Sequence, residues 1–188
     1  VKKLRALQPQ MIIPGRHLPI EGTELIDACL ARLHGAVEYV HRKTLEGMNA
    51  GVDIYTLMNE INLPAELRVG QGYGKVAWGV RTIWETYMGW FHLQSSTELY
   101  AVAPVEAMSE LVQLAGAQIA CERAMTLAAS GQPVLAIYIA EAILRDEPDH
   151  AGAAKVMVLA HEALLAQGGD VSFWESGWLR SQAAKWRQ

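Results

Sequence analysis

Helical periodicity dominates this sequence, and the fold class it predicts is all-α: a helical bundle with a tetratricopeptide-like C-terminal half and a short orphan strand and turn at the N terminus. Three observations carry that prediction. Apolar residues recur at three- and four-residue spacing from Leu25 to Leu45, as one face of a helix requires. A second segment, Gly72 to Phe91, crowds Trp, Tyr and Phe around one Arg at the same period. From Pro104 onward the composition shifts toward Ala, with Gly and Pro as punctuation and little β-branched alternation.

Taken in order, Gln10-Met11-Ile12-Ile13-Pro14-Gly15 reads as a short apolar strand ending in a turn, whose sheet is expected to lie upstream. Thr23 is placed to cap a long amphipathic helix carrying Leu25, Ile26, Cys29, Leu30, Leu33, Val37, Val40 and Leu45. Asp53 caps a shorter helix, Ile54 to Ile61, which Leu63-Pro64 stops. Gly72 to Gly74 breaks the chain before the aromatic helix. Gly79 inside that helix costs about 1 kcal/mol relative to Ala, which predicts close backbone approach to a neighbour. Residues 92–103 are expected to be a polar crossing loop.

Pro104 marks a subdomain boundary and suits the first turn of a helix reaching Ala115. Helices over 117–130, 133–145 and 149–167 follow, the last closed by Gly168-Gly169. Small side chains at Ala124, Ala136, Ala140, Ala153 and Ala160 permit close helix–helix contact. The Gly131, Ala136, Ala140, Pro148 cadence resembles a tetratricopeptide hairpin, whose repeat is about 34 residues. Roughly one and a half repeats fit, enough for a packing platform and too few for a peptide-binding superhelix. Ordinary Ala-rich bundle packing accounts for the same pattern.

Composition narrows the function. The chain is 51% apolar and 19% charged, far from disorder. A net charge of −4 argues against a nucleic-acid or anionic-membrane surface. No uncharged run approaches the roughly 20 residues of a membrane span, and no signal peptide is recognisable. The expectation is a soluble protein of cytoplasm or periplasm, with no nucleic-acid partner. Val rather than Met at position 1 leaves room for a removed leader or upstream domain. Cys29 and Cys121 read as two inert core thiols.

Several constellations fail as sites. His161-Glu162 begins like H-E-x-x-H, but Leu165 holds the second His position. His34 and His41 lie two turns apart with no acidic partner at ligand spacing. Gly70, Gly72 and Gly74 lack the Lys-Ser/Thr ending of a phosphate loop. Asp146-Glu147 and Asp149-His150 read as a solvated connection. Arg81, in the aromatic helix, has two readings. Its planar fork of donors suits an oxyanion, with Tyr87 adding a hydroxyl, or it makes a structural ion pair with a carboxylate such as Glu85 while Tyr87 packs.

The segment Tyr73-Gly74, Val80-Arg81, Tyr87, Gly89-Trp90-Phe91 resembles the YG…VR…Y-x-GW[YF] signature of alkyl sulfatases of the metallo-β-lactamase superfamily, within their helical dimerisation domain. His41, Thr44-Leu45, Asn49 and Gly51 match the family's H-x-x-T-L-x-x-x-N-x-G pattern, and Leu63-Pro64 with Leu67 match its LP…L. Pro14-Gly15-Arg16-His17-Leu18-Pro19, then Gly22, resemble the end of a metallo-β-lactamase domain, and Trp174 with Trp178-Leu179 resemble the family's closing W-x-x-x-[YW]-L. His92-Leu93-Gln94-Ser95 stand where the family reads D-G-N-P, and Glu175 where it tends to have Arg. The H-x-H-x-D-H metal motif is absent from the sequence.

The resemblance implies residues 1–22 as the tail of an upstream metal-binding domain and 23–188 as the dimerisation domain, divided into 23–103 and 104–188. It implies a homodimer through the long N-terminal helix and the aromatic helix. It also implies sulfate binding by Arg81 and Tyr87, with Trp84 walling the cleft between them, and His17 as a metal ligand only with the upstream domain present. Zinc is then a cofactor of the parent, a sulfuric-ester hydrolase, with none in this chain, which alone is expected to be inactive. The alternative is a stand-alone tetratricopeptide-like protein-interaction module.

Overall fold

The computed structural model describes residues 1–168 and 171–187, in two compact units, Val1–Trp90 and Phe91–Gln188. In the first unit, α1 (Lys2–Ala6) is held by Arg5, whose Nε and Nη2 donate to the two carboxylate oxygens of Asp27 at 2.8 and 3.0 Å. β1 (Met11–Ile12) pairs antiparallel with β2 (Ile20–Glu21), Met11 opposite Glu21 and Ile12 opposite Ile20. The strand expected to be an orphan thus has its partner inside the chain. The physical reason is the turn chemistry of residues 13–19, which folds the chain back before the first long helix.

That helix, α2 (Thr23–Asn49), begins one residue earlier than a Thr23 cap implies: Gly22 occupies the cap, at φ 102°, and its N–H donates to the Gln10 carbonyl at 2.9 Å. α3 (Ile54–Glu60) follows, and Asp53 caps it as expected, its carboxylate accepting the N–H groups of Tyr55 and Thr56 and the Thr56 hydroxyl. A 3₁₀ turn (Ala65–Leu67) leads to α4 (Val76–Met88), the aromatic helix. Val40, Ile54, Leu57, Val80 and Trp84 meet in one buried cluster. Gly47 eases the approach of α3 to α2: a Cβ on it would lie 2.3 Å from a Leu57 methyl, so any larger residue makes the Leu57 side chain shift.

Three further expectations change in this unit. A Cβ on Gly79 would meet nothing within 4 Å, so no neighbour in the fold explains that glycine. Trp84 is 5% exposed and fills the core; it walls no cleft. Cys29 is exposed and no core thiol, because the core takes Ile26, Ala36, Val40 and Thr44 of α2. Leu25, Cys29, Leu33 and Val37, at four-residue intervals, are left as an exposed apolar stripe.

In the second unit, residues 92–103 contain a 3₁₀ turn (Ser96–Leu99) organised by Glu98. Its carboxylate accepts the backbone N–H groups of His92, Gln94 and Ser95 at 2.5, 3.2 and 3.0 Å. The expected loop is therefore a folded turn, and the unit begins at Phe91, ahead of Pro104. α5 (Pro104–Ala115), α6 (Ala117–Ala129), α7 (Pro133–Asp146), α8 (Ala151–Gly168) and α9 (Phe173–Lys185) follow. Gly168 is the last residue of α8, and Gly169 of the predicted break lies outside the described residues.

Successive helices from α6 to α9 pack on one another, and α5 packs on α7. Ala124, Ala136, Ala140, Ala153 and Ala160 are all fully buried, the five positions where small residues predict close approach. Cys121, Ile143, Val156 and Met157 complete the core. Burial pushes the Cys121 thiol up, consistent with an inert thiol. Gly152 permits the closest passage, since a Cβ there would lie 2.8 Å from the Cys121 sulfur. Ser109 of α5 donates its hydroxyl to the carboxylate of Asp146 at the end of α7, and Gln113 donates to the same oxygen at 2.8 Å. Asp146 stays exposed, as a solvated connection implies, and also ties the two helices together. Among the described residues no helix is long and apolar enough to cross a membrane.

Candidate functional site

α4 presents the candidate residues, and its geometry follows from which face it buries. Val80, wholly buried, and Trp84 anchor one stripe against α2 and α3. Arg81 and Tyr87 stand six residues apart, about 9 Å along the axis and about 120° around it. They emerge on either side of the buried stripe, and both are exposed. The fold gives each its own partner. Arg81 Nε donates to Glu85 Oε1 at 2.9 Å, the ion pair that the competing reading of the sequence expects. This pair leaves the terminal guanidinium nitrogens of Arg81 outside the bond.

Tyr87 meets His41 of α2, its hydroxyl 2.9 Å from Nε2 and the two rings tilted at 56°. Two elements of the sequence pattern, 46 residues apart, are thereby joined across helices. Reading the sequence did not find this contact, and no spacing signal could have. Thr44, from the same H-x-x-T-L motif, is fully buried and donates its hydroxyl to the Val40 carbonyl at 2.7 Å, so that motif residue serves the helix. His34, the other histidine of α2, lies 3.2 Å from Glu38.

His17 sits in the loop between β1 and β2, exposed, with φ at 71°. Among the described residues no three His, Cys, Asp or Glu side chains gather as a metal-binding group. A zinc ion takes three or four such ligands.

Beside Arg81, α4 also lines a groove of about 750 Å³ with α2 and the glycine-rich segment 70–75. Leu33, Val37 and Val40 form one wall, Val76, Gly79 and Ile83 the other. Gln71 fixes the segment by accepting the Val76 N–H at 2.8 Å on its side-chain oxygen.

Residues 54–185 match the alkyl sulfatase dimerisation family. The linear primary-alkylsulfatase of Pseudomonas sp. (strain ATCC 19151) is 31% identical over 119 residues, which are 61% of this chain and 22% of that protein. Two solved structures share the fold at a TM-score of 0.76 and 21% identity, covering 87% of this chain and 26% of theirs. They are the stereoselective inverting sec-alkylsulfatase Pisa1 from Pseudomonas sp. and a double mutant of the same enzyme. The chain thus spans about a quarter of the length of the relatives it matches. The match takes in α3, the aromatic helix and the helices up to α9, so the chain belongs to the alkyl sulfatase dimerisation family.

Proposed function

We propose that this chain is the dimerisation and substrate-capping region of a zinc-dependent sulfatase-like hydrolase that cleaves alkyl sulfate esters, and that it is not catalytic alone. The observation that carries this reading is the family match over residues 54–185 in a chain a quarter as long as its relatives. Metal ligands then come from residues outside this chain, with His17 as its one contribution when that domain is present. The zinc would supply a Lewis acid and an activated water. The chain's own part is to bind and to orient.

Arg81 and Tyr87 are the residues proposed to hold the sulfate group. An incoming anion would compete with Glu85 for the Arg81 fork, and a sulfate oxygen would accept from Tyr87 while His41 occupies its other side. The exposed stripe Leu25, Cys29, Leu33 and Val37 supports the dimer. It runs about 18 Å along α2 and suits a two-fold contact with the same stripe of a second copy.

A second reading, the stand-alone tetratricopeptide-like interaction module, gains from the β1–β2 hairpin, since the N-terminal strand no longer calls for an upstream sheet. One experiment separates the two. The parent reading frame is expressed whole and assayed for bound zinc and for hydrolysis of an alkyl sulfate, beside this chain alone. The sulfatase reading expects both in the whole protein and neither in the chain; hydrolysis by the chain alone, or a parent without zinc, overturns it.

A further inference from the structure

The contact between His41 of α2 and Tyr87 of α4 turns on one hydrogen, and that hydrogen decides what Tyr87 can bind. His41 Nε2 lies 2.9 Å from the Tyr87 hydroxyl oxygen, and the ring centroids stand 5.7 Å apart. His41 is half-buried and Tyr87 exposed, so the histidine meets the phenol from the protein side and leaves its outer side to solvent. The core holds both residues in place. Val40, next to His41, and Trp84, three residues before Tyr87, are buried in the same cluster.

The carboxylates nearest in sequence on the two helices are engaged elsewhere. Glu38 lies 3.2 Å from both Lys2 and His34, Glu46 is held by Arg42 and Lys43, and Glu85 by Arg81. The phenol is therefore the group that His41 Nε2 meets. A phenol has one hydrogen and two lone pairs, and a neutral imidazole donates from one nitrogen and accepts at the other. Two arrangements close the contact. If Nε2 accepts, the phenol hydrogen points inward and the oxygen shows an incoming anion only lone pairs. If Nε2 carries a hydrogen and donates, the phenol hydrogen is released outward. Donation from the imidazole also polarises the phenol and strengthens its outward bond. A sulfate group only accepts hydrogen bonds, so it selects the second arrangement.

We propose that His41 is the positioning residue of Tyr87: its Nε2–H donates to the phenol oxygen and turns the phenol hydrogen toward the sulfate group. The inference rests on the proposed sulfate contact of Tyr87 and adds the residue that sets its direction. His41 itself does not touch the substrate; it acts through the phenol.

A double-mutant cycle in the full-length parent tests this, with decyl sulfate below its micellar concentration as substrate. Tyr87→Phe removes the sulfate contact and should raise KM by about tenfold or more. His41→Leu leaves the phenol in place but undirected, and should raise KM by about three- to tenfold with kcat and melting temperature kept. In the Tyr87→Phe background, His41→Leu should change KM by less than about twofold, because the group it acts through is gone. His41→Gln, whose amide can donate near the position of Nε2, should bring KM to within about twofold of wild type. Should His41→Leu fail to fold, His41→Asn, whose amide falls short of the phenol, takes its place in the cycle. In the chain labelled with nitrogen-15, Nε2 of His41 should carry a hydrogen, and its signal should shift in Tyr87→Phe.

A raised KM in Tyr87→Phe beside an unchanged KM in His41→Leu overturns the inference alone. Equal effects of His41→Leu in both backgrounds, as a merely structural histidine would give, overturn it as well. So does a bare Nε2 in the nitrogen-15 spectrum. A parent that does not hydrolyse decyl sulfate, or a Tyr87→Phe variant with the KM of wild type, sinks the reading of Tyr87 as a sulfate ligand and the inference with it.

Discussion

Arg81 is where a single side chain decides most. Its bond to Glu85 is an exposed i, i+4 pair, of a kind that adds little to stability. Lys in its place keeps the charge and loses the fork. Arg81→Lys in the full-length parent should therefore lower kcat/KM by about tenfold or more with the melting temperature unchanged. Glu85→Gln should lower KM, because the substrate anion no longer displaces a carboxylate. Equal kcat/KM for Arg81→Lys and wild type at subsaturating substrate would remove Arg81 from the proposed site. Glu98 makes a different residue-level point. Desolvation acts to raise its pKa, and the backbone N–H bonds from His92, Ser95 and Gln94 outweigh it and hold the carboxyl below its usual range. Glu98→Ala should melt the turn at 96–99, seen as faster amide exchange at His92 and Ser95.

Among the helices, the tie between α5 and α7 is the most sensitive to conditions. The Ser109 hydroxyl first, then the Gln113 amide, hold the Asp146 carboxyl below the ordinary carboxylate value. A carboxylate whose pKa is depressed on folding binds its proton less readily than in the unfolded chain. Its contribution is present above the unfolded value, about 3.9, and is lost as pH falls through the folded one. Wild type should thus lose melting temperature below about pH 4 more steeply than Asp146→Ala, which has already lost the tie at neutral pH. Parallel acid profiles would show that Asp146 carries none of this dependence. In the same unit Ala140 is fully buried between helices, and Ala140→Leu should cost about 1–3 kcal/mol by overpacking, measured by denaturant unfolding.

At the scale of the whole molecule, the exposed stripe of α2 makes the dimer testable directly. Cys29 lies in that stripe and is exposed, whereas Cys121 is buried. If two α2 helices cross on a two-fold axis near it, mild oxidation should link Cys29 to Cys29 of the second copy. Light scattering should give twice the mass of one chain at tens of micromolar. Val37→Glu should halve that mass without loss of helix content, by placing two like charges across the axis. A monomeric wild type at that concentration would count against the dimer.

Helix positions, the Asp53 cap, the Ala contacts of α6 to α8 and the family signature were all legible in the residues, because each depends on local spacing: a period of 3.6, a carboxylate before a first turn, small side chains recurring on one face. The Arg81–Glu85 pair was legible for the same reason, as an i, i+4 relation. Contacts between distant segments were not. The meeting of His41 with Tyr87 and the burial of Trp84 between Arg81 and Tyr87 depend on how α2, α3 and α4 close on one another. Helical spacing gave Cys29 and Val40 the same apolar reading, and only the packing of α4 against α2 decided that Val40 is core and Cys29 surface. Gly79 teaches the same lesson in reverse: its sequence position predicted a close neighbour, and the tertiary structure left that space open as a groove.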